Sequence, residues 1–161
     1  MDAETHPSQT VTAQLDRASL LCEARGAKLT ELRRQVLALV LEAGRPVGAY
    51  DLLERLRGQR RGAAPPTIYR ALEFLMEHGL IHKLERLSAF IGCPTQQDNG
   101  HDHHHHHAAQ FLICGGCGIV QELEDASVRA ALEQAAARLG FALGGITVEA
   151  EGRCAACRVQ G

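Results

Sequence analysis

The chain has 161 residues, 45% of them hydrophobic and 22% charged, with a formal net charge of −2. This is the balance of a folded, water-facing protein of one ordinary domain or two small ones, and it excludes an intrinsically disordered chain. The longest apolar runs, such as VLALVL, are far too short to span a bilayer, and MDAETHPSQT lacks the basic-then-apolar order of a secretion signal, so a cytoplasmic location is expected.

Leu15, Ala18, Leu21 and Cys22 recur at helical spacing, with Gly26 placed to stop the helix. Thr30 is positioned to cap a second helix whose stripe is Leu32, Val36, Leu39 and Val40 and whose end is Gly44. A third helix, AYDLLERLR, follows Gly48 and is expected to stop at Gly58. The arginine-rich GQRRGAA leads into PPTIYRALEFLMEHG, where the prolines pre-set the first turn and Gly79 ends the helix. Ile68, Ala71, Leu72, Leu75 and Met76 gather on one side of this helix. Arg70 points away from them, and Tyr69 sits on the flank, where core packing competes with an exposed role. LIHKLE and SAFIGC are two strand-like runs of a hairpin turning at Arg86 and Leu87. Helices, then a basic helix, then a hairpin is the order of a winged helix-turn-helix.

The second half is organised differently. QFLIC and IVQEL are expected strands around a first C-x-x-C pair. Asp125 or Ser127 starts a helix with Val128, Leu132, Ala135 and Leu139 on one face, and GITVEA is a last strand before a second pair. So thin a unit buries little core alone, and zinc and dimerisation are its expected supports. Charge divides in the same place. Between Lys28 and Arg70, nine Lys/Arg stand against four Asp/Glu, whereas from Cys93 onward four stand against eight. A basic half suits a polyanion. The expectation is an α+β chain: a winged-helix DNA-binding domain over 1–92, a histidine-rich hinge or loop over 93–107, and a small α+β dimerisation and metal-binding domain over 108–161.

Of the six cysteines, four form the pairs Cys114/Cys117 and Cys154/Cys157. In a reducing compartment, doubled C-x-x-C pairs bind zinc more often than they form disulfides. Each pair supplies two thiolates on a tight knuckle, and Gly115, Gly116 and Gly118 let the backbone curl round an ion. Together they complete a tetrahedral, closed structural zinc site. A redox pair is the competing reading.

The other donors, His82, Cys93, His107 and Glu122, are not selected by spacing alone. Taken singly, His82 is equally an amphipathic strand residue, Cys93 a small buried hydrophobe and Glu122 a solvated strand residue. The chain resembles the ferric-uptake-regulator family, and most of all its zinc-responsive branch. The resemblance is carried by LTELRRQVLALVLE, AYDLLERLR, PPTIYRALEFLMEHGLIHKLE, FLICGGCGIVQE, GFAL and GRCAAC, which run in family order from about Leu29 to Cys157. It implies that His82, Cys93, His107 and Glu122 bind a second, regulatory zinc, giving two Zn2+ per chain. His105 or His106 could stand in for His107 after a small shift. One thiolate, two imidazoles and one carboxylate suit zinc, and Cys93 argues against an iron sensor. The stretch ALGGITVEAEG lacks the histidines that many relatives carry there, which disfavours a further site using them. The run His101–His106, with Asp102 among it, is expected to collect metal without being the sensor.

The resemblance also implies a homodimer that binds double-stranded, inverted-repeat operator DNA when zinc-loaded and represses zinc-uptake genes. Tyr50, Thr67, Tyr69 and Arg70 match the family's reading region. Arg70 can make a forked contact to a guanine edge, and Arg60 and Arg61 suit phosphates. Three rivals remain. The first is a sensor of iron, manganese, nickel or peroxide within the same family. The second is a zinc storage or chaperone protein, which would need neither PPTIYRAL nor the basic half. The third is an enzyme, for which the chain offers no H-E-x-x-H and no deaminase-type pairing of H-x-E with P-C-x-x-C. No catalytic residue, membrane or small-molecule substrate is expected.

Overall fold

The computed structural model describes residues 9–93 and 109–159. They fall into two compact units, one within 1–99 and the other within 100–161.

The N-terminal unit begins with α1 (Gln9–Ala24) and α2 (Glu31–Ala43). Arg34 ties the two together, donating to the Asp16 carboxylate at 2.7 Å and to the Ser19 hydroxyl at 3.2 Å. Thr30 holds the N-cap position of α2 in extended conformation, but its side chain makes no capping bond. The two-residue strand β1 (Val47–Gly48) leads into α3 (Ala49–Gln59), and α4 (Pro65–Glu77) follows. Gly58 does not stop α3. The Arg60 N–H still reaches the Leu56 carbonyl at 2.7 Å, and the left-handed turn comes later, at Gly62 with φ 84°. A glycine near a helix end costs too little to break it while its neighbours keep their backbone bonds.

Gly79 does end its helix as expected. Its φ of 68° turns the chain so that the Gly79 and Leu80 N–H groups return to the Met76 and Leu75 carbonyls. Next come β2 (Ile81–Leu84), a single 3-10 turn (Glu85–Leu87) and β3 (Ala89–Gly92). The sheet order is β1-β3-β2, all antiparallel. Strand β1 is too short to show alternation, and so was invisible as a pattern. The core is the shared interior of α2, α3 and α4, against which α1 packs Val11, Leu15, Ala18 and Cys22. Val36, Leu37, Leu52, Leu56, Ile68, Leu72 and Leu75 are all essentially sealed from water.

The C-terminal unit is built on β4 (Ala109–Cys114), with β5 (Val120–Glu122) antiparallel on one side and β6 (Thr147–Gly152) parallel on the other. Helix α5 (Ala126–Arg138) lies in the crossover between β5 and β6, and α6 (Ala155–Val159) closes the described chain. Burial concentrates on β4, at Ala109, Gln110, Phe111, Ile113 and Cys114. No residue of α5 is buried, and Leu139, just beyond it, is 77% exposed. The apolar face expected on α5 exists, but the described residues of this chain do not cover it. No described helix is long and apolar enough to cross a membrane.

Asp125 caps α5. Its carboxylate accepts from the Ser127 hydroxyl at 2.6 Å and the Ser127 N–H at 2.8 Å, and these bonds hold its pKa below the usual value. Because the folded-state value is the lower one, the cap's stabilisation is complete above the ordinary carboxylate range. It is lost as pH falls through the depressed value. Asp125→Ala is therefore expected to lower Tm near neutral pH and to be silent in acid, in thermal melts at several pH values. In the other unit, Leu72→Ala is expected to cost about 2–5 kcal/mol in urea unfolding, as for buried leucines generally.

Candidate metal and nucleic-acid sites

The four paired cysteines come together. Strand β4 ends at Cys114, and its Gly115 N–H donates to the Gly152 carbonyl at the end of β6, 2.9 Å away. That bond brings the Cys154 and Cys157 loop beside the 114–117 knuckle. The parallel register of β4 on β6 thus closes a gap of 36 residues in sequence. The four sulfurs all lie within 4.8 Å of one another, and Cys117 Sγ is 3.7 Å from Cys154 Sγ. A tetrahedral zinc with Zn–S near 2.3 Å has S···S edges of roughly 3.8 Å, so this spacing fits the ion.

The electrostatics fit as well. N–H donors of Cys154, Cys117 and Gly116 aim at the Cys114 sulfur, the first from 3.3 Å, and lower its pKa to about 6. Hydrogen bonding to Cys154, Cys117 and Cys114 holds the Cys157 thiol protonated, pushing its pKa up to about 12. Four clustered sulfurs cannot all ionise unless a cation enters, which is the donor chemistry of a thiolate metal site. A Cβ on Gly116 would sit 2.9 Å from Cys157 Sγ and 3.1 Å from Cys157 Cβ, so this turn has room for glycine only.

The expected mixed-ligand residues are placed as follows. In the N-terminal unit, His82 on β2 pairs with Ile91 on β3, and the Cys93 N–H continues the ladder to the Leu80 carbonyl at 3.1 Å. Cys93 therefore leaves the hairpin on the same face as Ile91 and His82, and its Sγ lies within 4.8 Å of a His82 ring nitrogen. Cys93 is buried and His82 half-buried. Glu122 belongs to the C-terminal unit, on β5 opposite Phe111. Burial and the Glu124 carboxylate raise its pKa. One of its oxygens is shielded from water without a hydrogen-bond donor among the described residues. His107, and the rest of the histidine run with Asp102, lie outside the described residues.

The expected nucleic-acid residues share the N-terminal unit. Tyr50 at the start of α3 is 75% exposed, and Tyr69 on α4 is 46% exposed, so Tyr69 is not a core residue. Arg70 is exposed beside it, Thr67 is half-buried in the first turn, and Arg60 and Arg61 are exposed in the α3–α4 turn. Arg57 fixes the end of that turn, donating to the Ala63 carbonyl at 3.0 Å.

A four-helix unit with a three-stranded wing, followed in sequence by a small sheet domain carrying a four-thiol cluster, defines a winged-helix protein with a metal-binding second domain. The chain belongs to the ferric uptake regulator family, whose profile matches residues 24–151. It is 39% identical over 148 residues to the zinc uptake regulation protein of Escherichia coli (strain K12), covering 92% of this chain and 83% of that one. Among solved structures, it is similar to a zinc uptake regulator complexed with zinc and DNA, with TM-score 0.85 and 36% identity over 95% of this chain and 98% of the other. It is also similar to holo XcZur, with TM-score 0.79 and 41% identity over 91% and 98% of the two chains.

Gly116→Ala is expected to loosen the cysteine cluster. In metal analysis after dialysis against a chelator, the variant should lose zinc that the wild type retains.

Proposed function

We propose that the chain is a zinc-responsive transcriptional regulator. Loaded with zinc, its homodimer binds inverted-repeat operator DNA in the cytoplasm and represses zinc-uptake genes. Residues 1–92 bind DNA, 93–107 form the hinge or loop, and 108–161 dimerise and hold metal. The observation that carries this reading is one chain combining a four-thiol cluster with an exposed tyrosine-and-arginine face on a winged helix. Similarity to zinc uptake regulation proteins along nearly the whole chain supports it.

Two donor sets support two zinc ions per chain. Cys114, Cys117, Cys154 and Cys157 hold the structural ion, with no ligand position left for a catalytic water. His82, Cys93, His107 and Glu122 hold the regulatory one. The nearness of Cys93 and His82 on the wing supports that set, as does the orphaned Glu122 oxygen. Held by these residues, the ion would supply the charge that favours the Cys93 thiolate and neutral imidazoles at His82 and His107. Because its ligands come from both halves of the sequence, its binding favours one dimer geometry and with it one operator spacing. The uncovered apolar face of α5 supports dimerisation through the C-terminal domain. On DNA, Tyr50, Thr67, Tyr69 and Arg70 face the bases, and Arg60 and Arg61 meet phosphates.

Operator binding measured against zinc, iron(II), manganese and nickel at buffered free concentrations tests the metal assignment. Zinc is expected to act at the lowest concentration, and an equal or better response to another metal would overturn it. Cys93→Ser is expected to weaken zinc-dependent DNA binding while leaving one zinc per chain on the cysteine cluster, read by titration and metal analysis. An unchanged zinc response would remove Cys93 from the regulatory set.

A further inference from the structure

Arg33, half-buried on α2, makes two contacts at once. Its guanidinium carbon stands 3.6 Å from the centroid of the Phe74 ring on α4, within cation–π range. Its Nη1 donates to the Lys28 carbonyl, 2.8 Å away in the turn between α1 and α2. Phe74 in turn stacks on His78, with ring centroids 4.0 Å apart, and Arg25 donates to the His78 carbonyl at 2.8 Å. Two guanidinium groups flanking one turn thus hold the second half of α4 through a ring and a carbonyl. Phe74 lies four residues after Arg70, on nearly the same line along the helix, so a rotation of α4 that moves one moves the other.

We infer that Arg33 is a positioning residue for DNA reading. By clamping Phe74 to the Lys28 carbonyl, it fixes the rotation of α4 about its own axis, and so the direction in which Tyr69 and Arg70 leave the helix. The inference rests on α4 being the base-reading helix. Bidentate pairing to a base edge is directional, whereas phosphate contacts position without reading sequence. Losing the clamp therefore lowers discrimination between sequences more than it lowers binding to DNA in general. Lysine is no substitute, because an ammonium on a flexible stem has neither the flat face for Phe74 nor the fork that reaches the carbonyl at the same time.

The test uses zinc-loaded full-length protein and two duplexes of equal length and composition. One is enriched by the wild type from a randomised library, and the other is scrambled. Fluorescence anisotropy across a salt series gives the affinity ratio and the salt slope for the wild type, Arg33→Lys, Arg33→Met, Phe74→Leu and the double variant Arg33→Lys/Phe74→Leu. Each single variant is expected to lose about fivefold or more in the ratio, the lower end for one misaligned bidentate pair. The salt slope should be unchanged, and the double variant should be no worse than the worse single one. Should Arg33→Met fail to fold, Arg33→Lys still decides the matter.

A lowered Tm with an unchanged ratio below melting would make Arg33 merely structural and overturn the inference. A salt slope shallower by about one would make it a phosphate contact and overturn it too. Arg70→Ala separates the two levels. Lost discrimination there but not in Arg33→Lys sinks only the role of Arg33. Unchanged discrimination in Arg70→Ala overturns the assignment of α4 and this inference with it.

Discussion

Four sulfurs held within 4.8 Å of one another, in a domain with very little core, are the constraint on which the C-terminal half depends. Its buried residues lie almost entirely on β4, and α5 contributes none. A sheet of three strands and two exposed helices cannot repay the entropy of ordering its chain from apolar burial alone. A cross-link between the end of β4 and the segment after β6 acts where burial is missing. It fixes the parallel pairing of those strands, which no short turn could enforce. The N–H donors around Cys114 begin that arrangement by favouring its thiolate, and the high pKa of Cys157 shows why it is complete only with a cation.

The N-terminal unit is held by the opposite means. Leucine, isoleucine and valine from four helices make one dry interior, so its helices need no metal to pack. That division of labour leaves the DNA-binding fold able to pack without metal. The hairpin is already fixed by the ladder from Ile81–Gly92 to Leu84–Ala89, so a cation held there, as proposed above, would change how the hairpin is used without deciding whether it forms.

Much of this was legible in the residues because helical period and left-handed glycines are local signals. The stripe of α4 and the stop at Gly79 needed no partner to be seen. What escaped was set by tertiary structure. β1 owes its existence to pairing with β3 and is two residues long, and α3 runs through Gly58 because a glycine breaks a helix only where the backbone bonds are already ending. The four-cysteine cluster was legible because the doubled motif encodes its own geometry. The mixed donor set was singled out only by the family resemblance, since His82, Cys93 and Glu122 carry no common spacing. On the wing, register alone brings Cys93 beside His82. The contact of Arg33 with Phe74 lies beyond sequence patterning altogether, because it joins residues 41 positions apart on helices whose mutual packing no periodicity specifies.

The proposed reading role places a demand on α4 that its own stripe cannot meet. Ile68, Ala71, Leu72 and Leu75 bury one face, but the hydrophobic stabilisation they supply is non-directional. Arginine aimed at a guanine edge needs a fixed direction. A helix that must be apolar on one side and directional on the other therefore needs a restraint with angular preference at the border between them. Phe74 occupies that border, half-buried, with a cation over its ring and an imidazole stacked against it. Flat groups packed on a flat ring resist tilting in a way that branched aliphatics do not. On that proposal, the precision of the helix is set by the few polar and aromatic contacts at its edge, and its stability by the core beneath.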